Sequence, residues 1–108
     1  MPVTVAIDVM GGDVGPRVTV PAALDFLERH ADAAVVLVGQ QSEIEIELTR
    51  VGQSRAAFGT RLDLLHAAEV VAMDDPPVQA MRRKRESSMH LAIGLVKDGR
   101  ADAAISAG

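Results

Sequence analysis

Cysteine, tryptophan and tyrosine are absent from this chain, and phenylalanine occurs only twice. Without cysteine there can be no disulfide, thiolate zinc site or cysteine nucleophile, and this absence fits a reducing cytoplasm. Two aromatic rings are too few to form a platform on which bases stack, and the formal net charge of −4 also argues against a nucleic-acid partner. The core must therefore be built from aliphatic side chains, and we predict no binding of nucleic acid.

Long apolar runs are missing too, since none approaches the ~20 residues of a membrane-spanning helix. The first residues do not form a charged segment followed by an apolar run, as export signals do. We therefore expect a cytoplasmic protein. Hydrophobic residues still make up 48% of the 108 residues, which is enough for the core of one domain or of part of one.

Apolar, β-branched stretches alternate with segments of helical periodicity along the chain. This order predicts βαβ units and a mostly parallel sheet, and therefore an α/β fold. Strands are predicted over residues 3–9, 35–38, 62–65 and 101–105, and helices over 16–30, 43–51, from 76 to the basic run at 82–85, and over 88–97 with a stop at Gly99.

The sequence also predicts where the first two helices begin. Pro16 suits a first helical position. Pro21 in a helix interior would cost ~3 kcal/mol, so this helix should start nearer Thr19 or be kinked. Ser42, with Glu45 three residues later, forms a capping box and is expected to cap the second helix.

The first predicted strand leads into Asp8, Gly11, Gly12 and Asp13. Ligands of open parallel sheets bind at the carboxyl ends of strands, and glycine lets the backbone approach them closely. The two carboxylates could orient a substrate, hold a metal ion or accept a proton; alternatively, the segment is a turn in which Asp13 satisfies backbone N–H groups. The pattern matches neither a dinucleotide-binding motif nor a P-loop.

Four cations at residues 82–85 come directly before Ser87 and Ser88, where a helix is predicted to begin. A helix N-terminus offers backbone N–H groups and partial positive charge, so cations and hydroxyls placed there favour binding of an anion such as phosphate. The alternative is a solvated run that complements the dipole of the preceding helix. Helical geometry lets at most two of the four cations contact one ligand.

The two serines and the histidines admit several roles. A serine nucleophile would need a base, and His90 points away from Ser88 on a helix, whereas His66 could approach only through the fold. A capping or anion-binding hydroxyl is therefore favoured. The three histidines show no spacing typical of metal ligands.

The last predicted strand runs into Ser106, Ala107 and Gly108. Small residues in this position are typical of an α/β active-site loop, although they would also allow simple close packing. We expect the chain to be part of a longer domain.

Four motifs follow one another along the chain: AIDVMGGD at residues 6–13, AEVVAMDDPP at 68–77, RRKRESSM at 82–89 and ADAAISAG at 101–108. Together they closely resemble the N-terminal third of the bacterial phosphate acyltransferase family (acyl-acyl carrier protein:phosphate acyltransferase). The chain departs from the family pattern at Val9, where alanine is frequent, at Pro21, and in lacking the Asn-Thr-Gly segment that follows the last motif in the family.

The resemblance implies transfer of a long-chain acyl group from the thioester of acyl carrier protein to inorganic phosphate, which gives acyl phosphate for phospholipid synthesis. It also implies a three-layer αβα sandwich similar to isocitrate and isopropylmalate dehydrogenases, a homodimer, and peripheral association with the membrane. No cofactor and no metal ion are expected.

Combined with this chemistry, the motifs predict individual roles. The backbone amides at Gly11 and Gly12, or those of residues 106–108, would stabilise the oxyanion, and Lys84, Arg85 and Ser88 would bind phosphate. We predict catalytic roles for Asp8, Asp13 and Lys84, and phosphate or substrate contacts for Gly11, Gly12, Arg83, Arg85, Ser87, Ser88, Ser106 and Gly108.

Two other functions fit the residues. One is a different enzyme of this fold class, either phosphotransacetylase-like or dehydrogenase-like, which would depend on coenzyme A or a hydroxy acid. The other is a non-catalytic docking surface, in which the basic run binds acidic acyl carrier protein or lipid headgroups. As an isolated part of an acyltransferase, the 108 residues are expected to be inactive.

Overall fold

The computed structural model describes residues 3–10, 15–52, 58–67 and 87–106. Within these ranges the chain forms an α/β fold with a sheet of four strands, all parallel, in the order β3-β2-β1-β4. The predicted α/β class with a parallel sheet is thus confirmed. In chain order the elements are β1 (Val3–Asp8), α1 (Pro16–Arg29), β2 (Ala33–Gly39), α2 (Gln41–Arg50), a 3₁₀ turn (Gly59–Arg61), β3 (Leu62–His66), α3 (Ser88–Lys97) and β4 (Ala103–Ser106).

Helices cover both faces of the sheet. Because side chains alternate between the faces of a strand, Val35 and Leu37 of β2 pack on one face with α1 and α2. Val36 and Val38 of the same strand lie on the opposite face, where α3 packs. The layers are therefore helix, sheet and helix, as an αβα sandwich requires. Within the described ranges, no helix has the length and apolar character needed to cross a bilayer.

Helix α1 begins at Pro16 and continues through Pro21, so a start nearer Thr19 is wrong. A proline at position 21 cannot donate a hydrogen bond to the carbonyl of Arg17, four residues earlier. That carbonyl instead accepts a hydrogen bond of 3.1 Å from the Arg50 guanidinium of α2. The same guanidinium pairs with the largely buried Glu47, at 2.9 and 3.0 Å. A side chain of α2 thus replaces the bond that α1 loses at its proline.

Helix α2 starts earlier than its sequence pattern predicts. It begins at Gln41, and Gln40 in the N-cap position makes no side-chain capping bond, so the capping box expected at Ser42 is wrong. The backbone N–H of Gln41 donates to Nδ1 of His66, at the carboxyl end of β3, over 3.1 Å. A tertiary contact with a residue 25 positions away therefore takes the place of a local cap.

Candidate functional site

The order in which the chain adds strands to the described sheet reverses at β1. The chain proceeds from β1 to β2 and β3 on one side, and β4 then pairs with the opposite side of β1. Such a switch point leaves a crevice at the carboxyl ends of the two diverging strands, and this is where open α/β sheets bind ligands. Asp8 ends β1 and pairs in register with Ser106, which ends β4. The fold therefore brings two of the predicted site residues together at the switch point.

Asp8 is buried, with 3% of its surface exposed, and it accepts three hydrogen bonds. The hydroxyl of Ser88 donates to Oδ1, and the hydroxyl of Ser106 donates to Oδ2 over 2.9 Å. The backbone N–H of Met10 donates to Oδ1 over 3.0 Å. An ionised carboxylate has acceptors only, and all three neighbours supply donors. The burial of this charge is thus compensated by hydrogen bonds rather than by an ion pair with any described residue.

Ser87 and Ser88 begin helix α3 and have separate roles. Ser87 is the N-cap, and its Oγ accepts a hydrogen bond of 3.3 Å from the backbone N–H of His90. Ser88 is the first helical residue and turns its hydroxyl toward Asp8. Both serines are about 95% buried. Ser87 thus makes the capping bond that was one of the predicted roles, whereas the bond from Ser88 to a carboxylate 80 residues earlier was not predicted.

The alternation along β1 explains why Asp8 faces α3. Ala6 and Asp8 lie on the same side of the strand, and Ala6 packs in the cluster that contains the α3 residues. The backbone beyond Asp8 is held on the other side, where Thr19 Oγ1 lies 2.9 Å from the carbonyl oxygen of Val9. The end of β1 is thus fixed between α1 and α3.

Two of the three histidines make contacts away from Asp8. His66 ends β3, which is separated from β1 by β2, and its Nδ1 accepts the bond from Gln41. The prediction that His66 could approach a serine through the fold is therefore not supported by its position. His30 is the C-cap of α1, and its ring lies 4.7 Å from that of Phe26. Among the residues that the structure describes, no three acidic or histidine side chains are grouped so as to hold a metal ion.

The remaining predicted site residues lie outside the described ranges: Gly11, Gly12, Asp13, Arg83, Lys84, Arg85 and Gly108. Their roles stay predictions. Along the chain, however, each of them is close to Met10, Ser87 or Ser106. Gly11 follows Met10 directly, Arg85 comes two residues before Ser87, and Gly108 comes two residues after Ser106.

Comparison with known proteins identifies the family. The family model described as "Fatty acid synthesis protein" matches residues 3–108. Among curated proteins, the phosphate acyltransferase of Coxiella burnetii is 49% identical over 105 residues, and those of Shewanella woodyi and Methylococcus capsulatus are each 52% identical over 105 residues.

Each of these matches covers 97% of this chain, which spans about 30% of the length of the relative. The resemblance predicted from the four motifs is confirmed by these matches. The chain belongs to the family of fatty acid synthesis proteins.

Proposed function

We propose that the protein containing this chain transfers a long-chain acyl group from the thioester of acyl carrier protein to inorganic phosphate. The observation that carries this proposal is the match of nearly the whole chain, at about half identity, to proteins named phosphate acyltransferase. A phosphate oxygen would attack the thioester carbonyl carbon, and the carbon–sulfur bond would then break. The products are acyl phosphate and the free thiol of the carrier, which takes the proton that hydrogen phosphate loses.

The geometry at the switch point suits this chemistry. Hydrogen phosphate is already a nucleophile, so the enzyme needs to position it rather than to form a covalent intermediate. The start of α3 supplies backbone N–H groups and the positive end of a helix dipole. Lys84 and Arg85, just upstream of this start, would add charge-assisted hydrogen bonds to the phosphate.

The structure changes the role that we propose for Ser88. A hydroxyl has one proton, and that of Ser88 is donated to Asp8. Ser88 would therefore contribute its backbone N–H to bound phosphate, whereas its hydroxyl fixes the start of α3.

The chain would form the N-terminal part of a single αβα catalytic domain in a longer protein. In such a domain, the carboxyl ends of β1 and β4 would lie inside a larger sheet. We also propose that the full-length protein is a cytoplasmic homodimer. It would associate peripherally with the membrane, because its acyl phosphate product feeds phospholipid synthesis.

The test uses the full-length protein with acyl carrier protein charged with a long-chain acyl group. Acyl phosphate is trapped with hydroxylamine, and release of the carrier thiol is measured in parallel. We expect both products only when phosphate is present. Activity with acyl-coenzyme A but not with acyl carrier protein would favour the phosphotransacetylase-like alternative, and oxidation of a hydroxy acid would favour the dehydrogenase-like one.

A further inference from the structure

We propose that Asp8 is the positioning residue of this site, and that it fixes the start of α3 against the carboxyl end of β4 without exchanging a proton in the reaction. This inference rests on the proposed function and adds to it the residue that assembles the phosphate crevice. It assigns Asp8 a role different from that of an acid or a base.

Three hydrogen-bond donors surround the Asp8 carboxylate. Oδ1 accepts from the Ser88 hydroxyl and the Met10 N–H, and Oδ2 accepts from the Ser106 hydroxyl. Asp8 exposes 3% of its surface, and both of its carboxylate oxygens accept hydrogen bonds from the protein. A general base must lie within hydrogen-bond reach of the proton that it removes. Here that place is taken by two hydroxyls and an amide of the protein.

The hydrogen bonds of Asp8 join segments that are far apart along the chain. Ser88 is 80 residues away from Asp8 along the chain, and Ser106 is 98 residues away. Ser88 opens the helix that follows the basic run, and Ser106 closes the strand that leads into Ala107 and Gly108. One buried carboxylate thus ties together the ends of three elements, β1, α3 and β4. The two segments proposed to contact phosphate and oxyanion are anchored at this carboxylate.

The negative charge of an Asp8 carboxylate does not itself favour phosphate binding. A carboxylate beside a phosphate dianion repels it, so the charge of Asp8 by itself would weaken phosphate binding. Asp8 can favour catalysis at this location only through the geometry that it imposes. Removing the charge while keeping the shape should therefore be tolerated, whereas removing the side chain should not.

The substitution Asp8→Asn separates the two effects. It keeps an acceptor oxygen for Ser88 and Met10, and its amide can donate to Ser106, whose hydroxyl can reverse direction. We expect full-length Asp8→Asn to keep kcat/KM for phosphate within about tenfold of the unsubstituted protein, with an unchanged shape of the pH–rate profile.

Asp8→Ala and the double variant Ser88→Ala/Ser106→Ala each remove the link. Because a misplacement of about 1 Å can reduce the rate about 100-fold, we expect losses of that size, with a raised KM for phosphate and a KM for acyl carrier protein within about twofold. Combining all three substitutions should add little, because one structural unit is lost in each case.

Asp102 offers a matched control. Its carboxylate accepts a hydrogen bond of 2.8 Å from the backbone N–H of Thr4, at the opposite end of the same pair of strands. Asp102→Ala removes one aspartate bond between β1 and β4, about 13 Å from Asp8 at ~3.3 Å per residue. We expect it to lower thermal stability while the phosphate KM stays unchanged.

A measurement that needs no turnover tests the link itself. A double-mutant cycle for Asp8→Ala and Ser88→Ala, read by urea unfolding, should show coupling, and amide exchange in the first turn of α3 should be faster in Asp8→Ala than in Asp8→Asn. If the unsubstituted protein forms no acyl phosphate but the coupling is present, the proposed function fails and the positioning role stands. Absent coupling, or Asp8→Asn as inactive as Asp8→Ala with one limb of the pH–rate profile lost, would overturn the positioning role.

Discussion

Arg61 reaches three carbonyl oxygens from the turn that precedes β3. Its guanidinium donates to Leu27 and His30 at the end of α1, over 2.6 and 2.7 Å, and to Ala33 at the start of β2, over 2.9 Å. The last carbonyls of a helix have no partner within the helix. A planar guanidinium with five donors can satisfy several of them at once. At the residue scale, Arg61 is therefore the connection between α1, β2 and β3.

We expect Arg61→Lys to destabilise the protein by about 1–3 kcal/mol, because a single ammonium cannot reproduce the forked set of bonds and leaves part-buried carbonyls without their donor. Urea unfolding of the full-length protein measures the change. Arg29→Ala is the matched control, since its ion pair with Asp25 is exposed on both sides and should contribute less than about 1 kcal/mol. Equal effects of the two substitutions would contradict this role of Arg61.

The proposed contacts of Lys84 and Arg85 with phosphate are tested by measuring the dependence of the rate on phosphate concentration. If each provides a charge-assisted hydrogen bond worth about 1.5–3 kcal/mol, Lys84→Ala and Arg85→Ala should each lower kcat/KM for phosphate about 10-fold or more. Lys97→Ala removes a cation from the other end of α3 and should have little effect. Unchanged phosphate KM and kcat in both variants would show that the basic run does not bind phosphate. Loss of carrier-protein binding that grows steeply with salt would instead support docking.

At the element scale, helix α1 keeps an interior proline because helix α2 provides the missing hydrogen-bond donor. The Arg17 carbonyl, which faces the position of the absent N–H of Pro21, accepts its bond from Arg50. The two helices are therefore coupled by a side-chain bond as well as by the apolar cluster that they share with β2.

A double-mutant cycle measures this coupling between the helices. Arg50→Ala should cost about 1–2 kcal/mol when Pro21 is present, because it removes the bond to the Arg17 carbonyl and the pairing with the largely buried Glu47. In the background of Pro21→Ala, the new backbone N–H satisfies that carbonyl, and the cost of Arg50→Ala should fall by about 1 kcal/mol. Additive effects in thermal or urea unfolding would show that Arg50 acts only through Glu47.

At the scale of the whole molecule, the outer edge of β4 is left uncovered by the described residues. Ala103, Ala104 and Ile105 are all exposed, and Ile105 exposes 55% of its surface. On the adjoining α3, Met89 and Ile93 expose 46% and 49%. An apolar, uncharged strand at an edge is a template for pairing with further strands. Since the relatives are about three times as long as this chain, we expect residues of the longer protein to cover this edge.

The isolated 108-residue chain should therefore self-associate with increasing concentration, and the full-length protein should not do so through β4. Ile105→Lys places a charge on this edge and should reduce the association. Ile46→Lys is the control, because Ile46 is 64% exposed on α2, away from β4. Sedimentation velocity distinguishes the variants, and an equal effect of the two lysines would contradict association through the β4 edge.

Local sequence patterns determined most of the elements of this fold. Apolar, β-branched runs located all four described strands, Pro16 marked the start of α1, and Gly99, with φ of 75°, follows α3 as predicted. These features depend on residues a few positions apart, whose conformational preferences act locally. The polar residues at strand ends also predicted a ligand site at the carboxyl edge of the sheet, and this site stays a prediction.

Tertiary structure alone decided which residues meet. Asp8 bonds to Ser88 and Ser106 because the order of strands places β4 beside β1, and no local pattern encodes contacts over 80 and 98 residues. The start of α2 was set by His66 rather than by Ser42 for the same reason. The sequence thus supplied the elements and the candidate residues, whereas the packing of distant segments assigned the bonds between them.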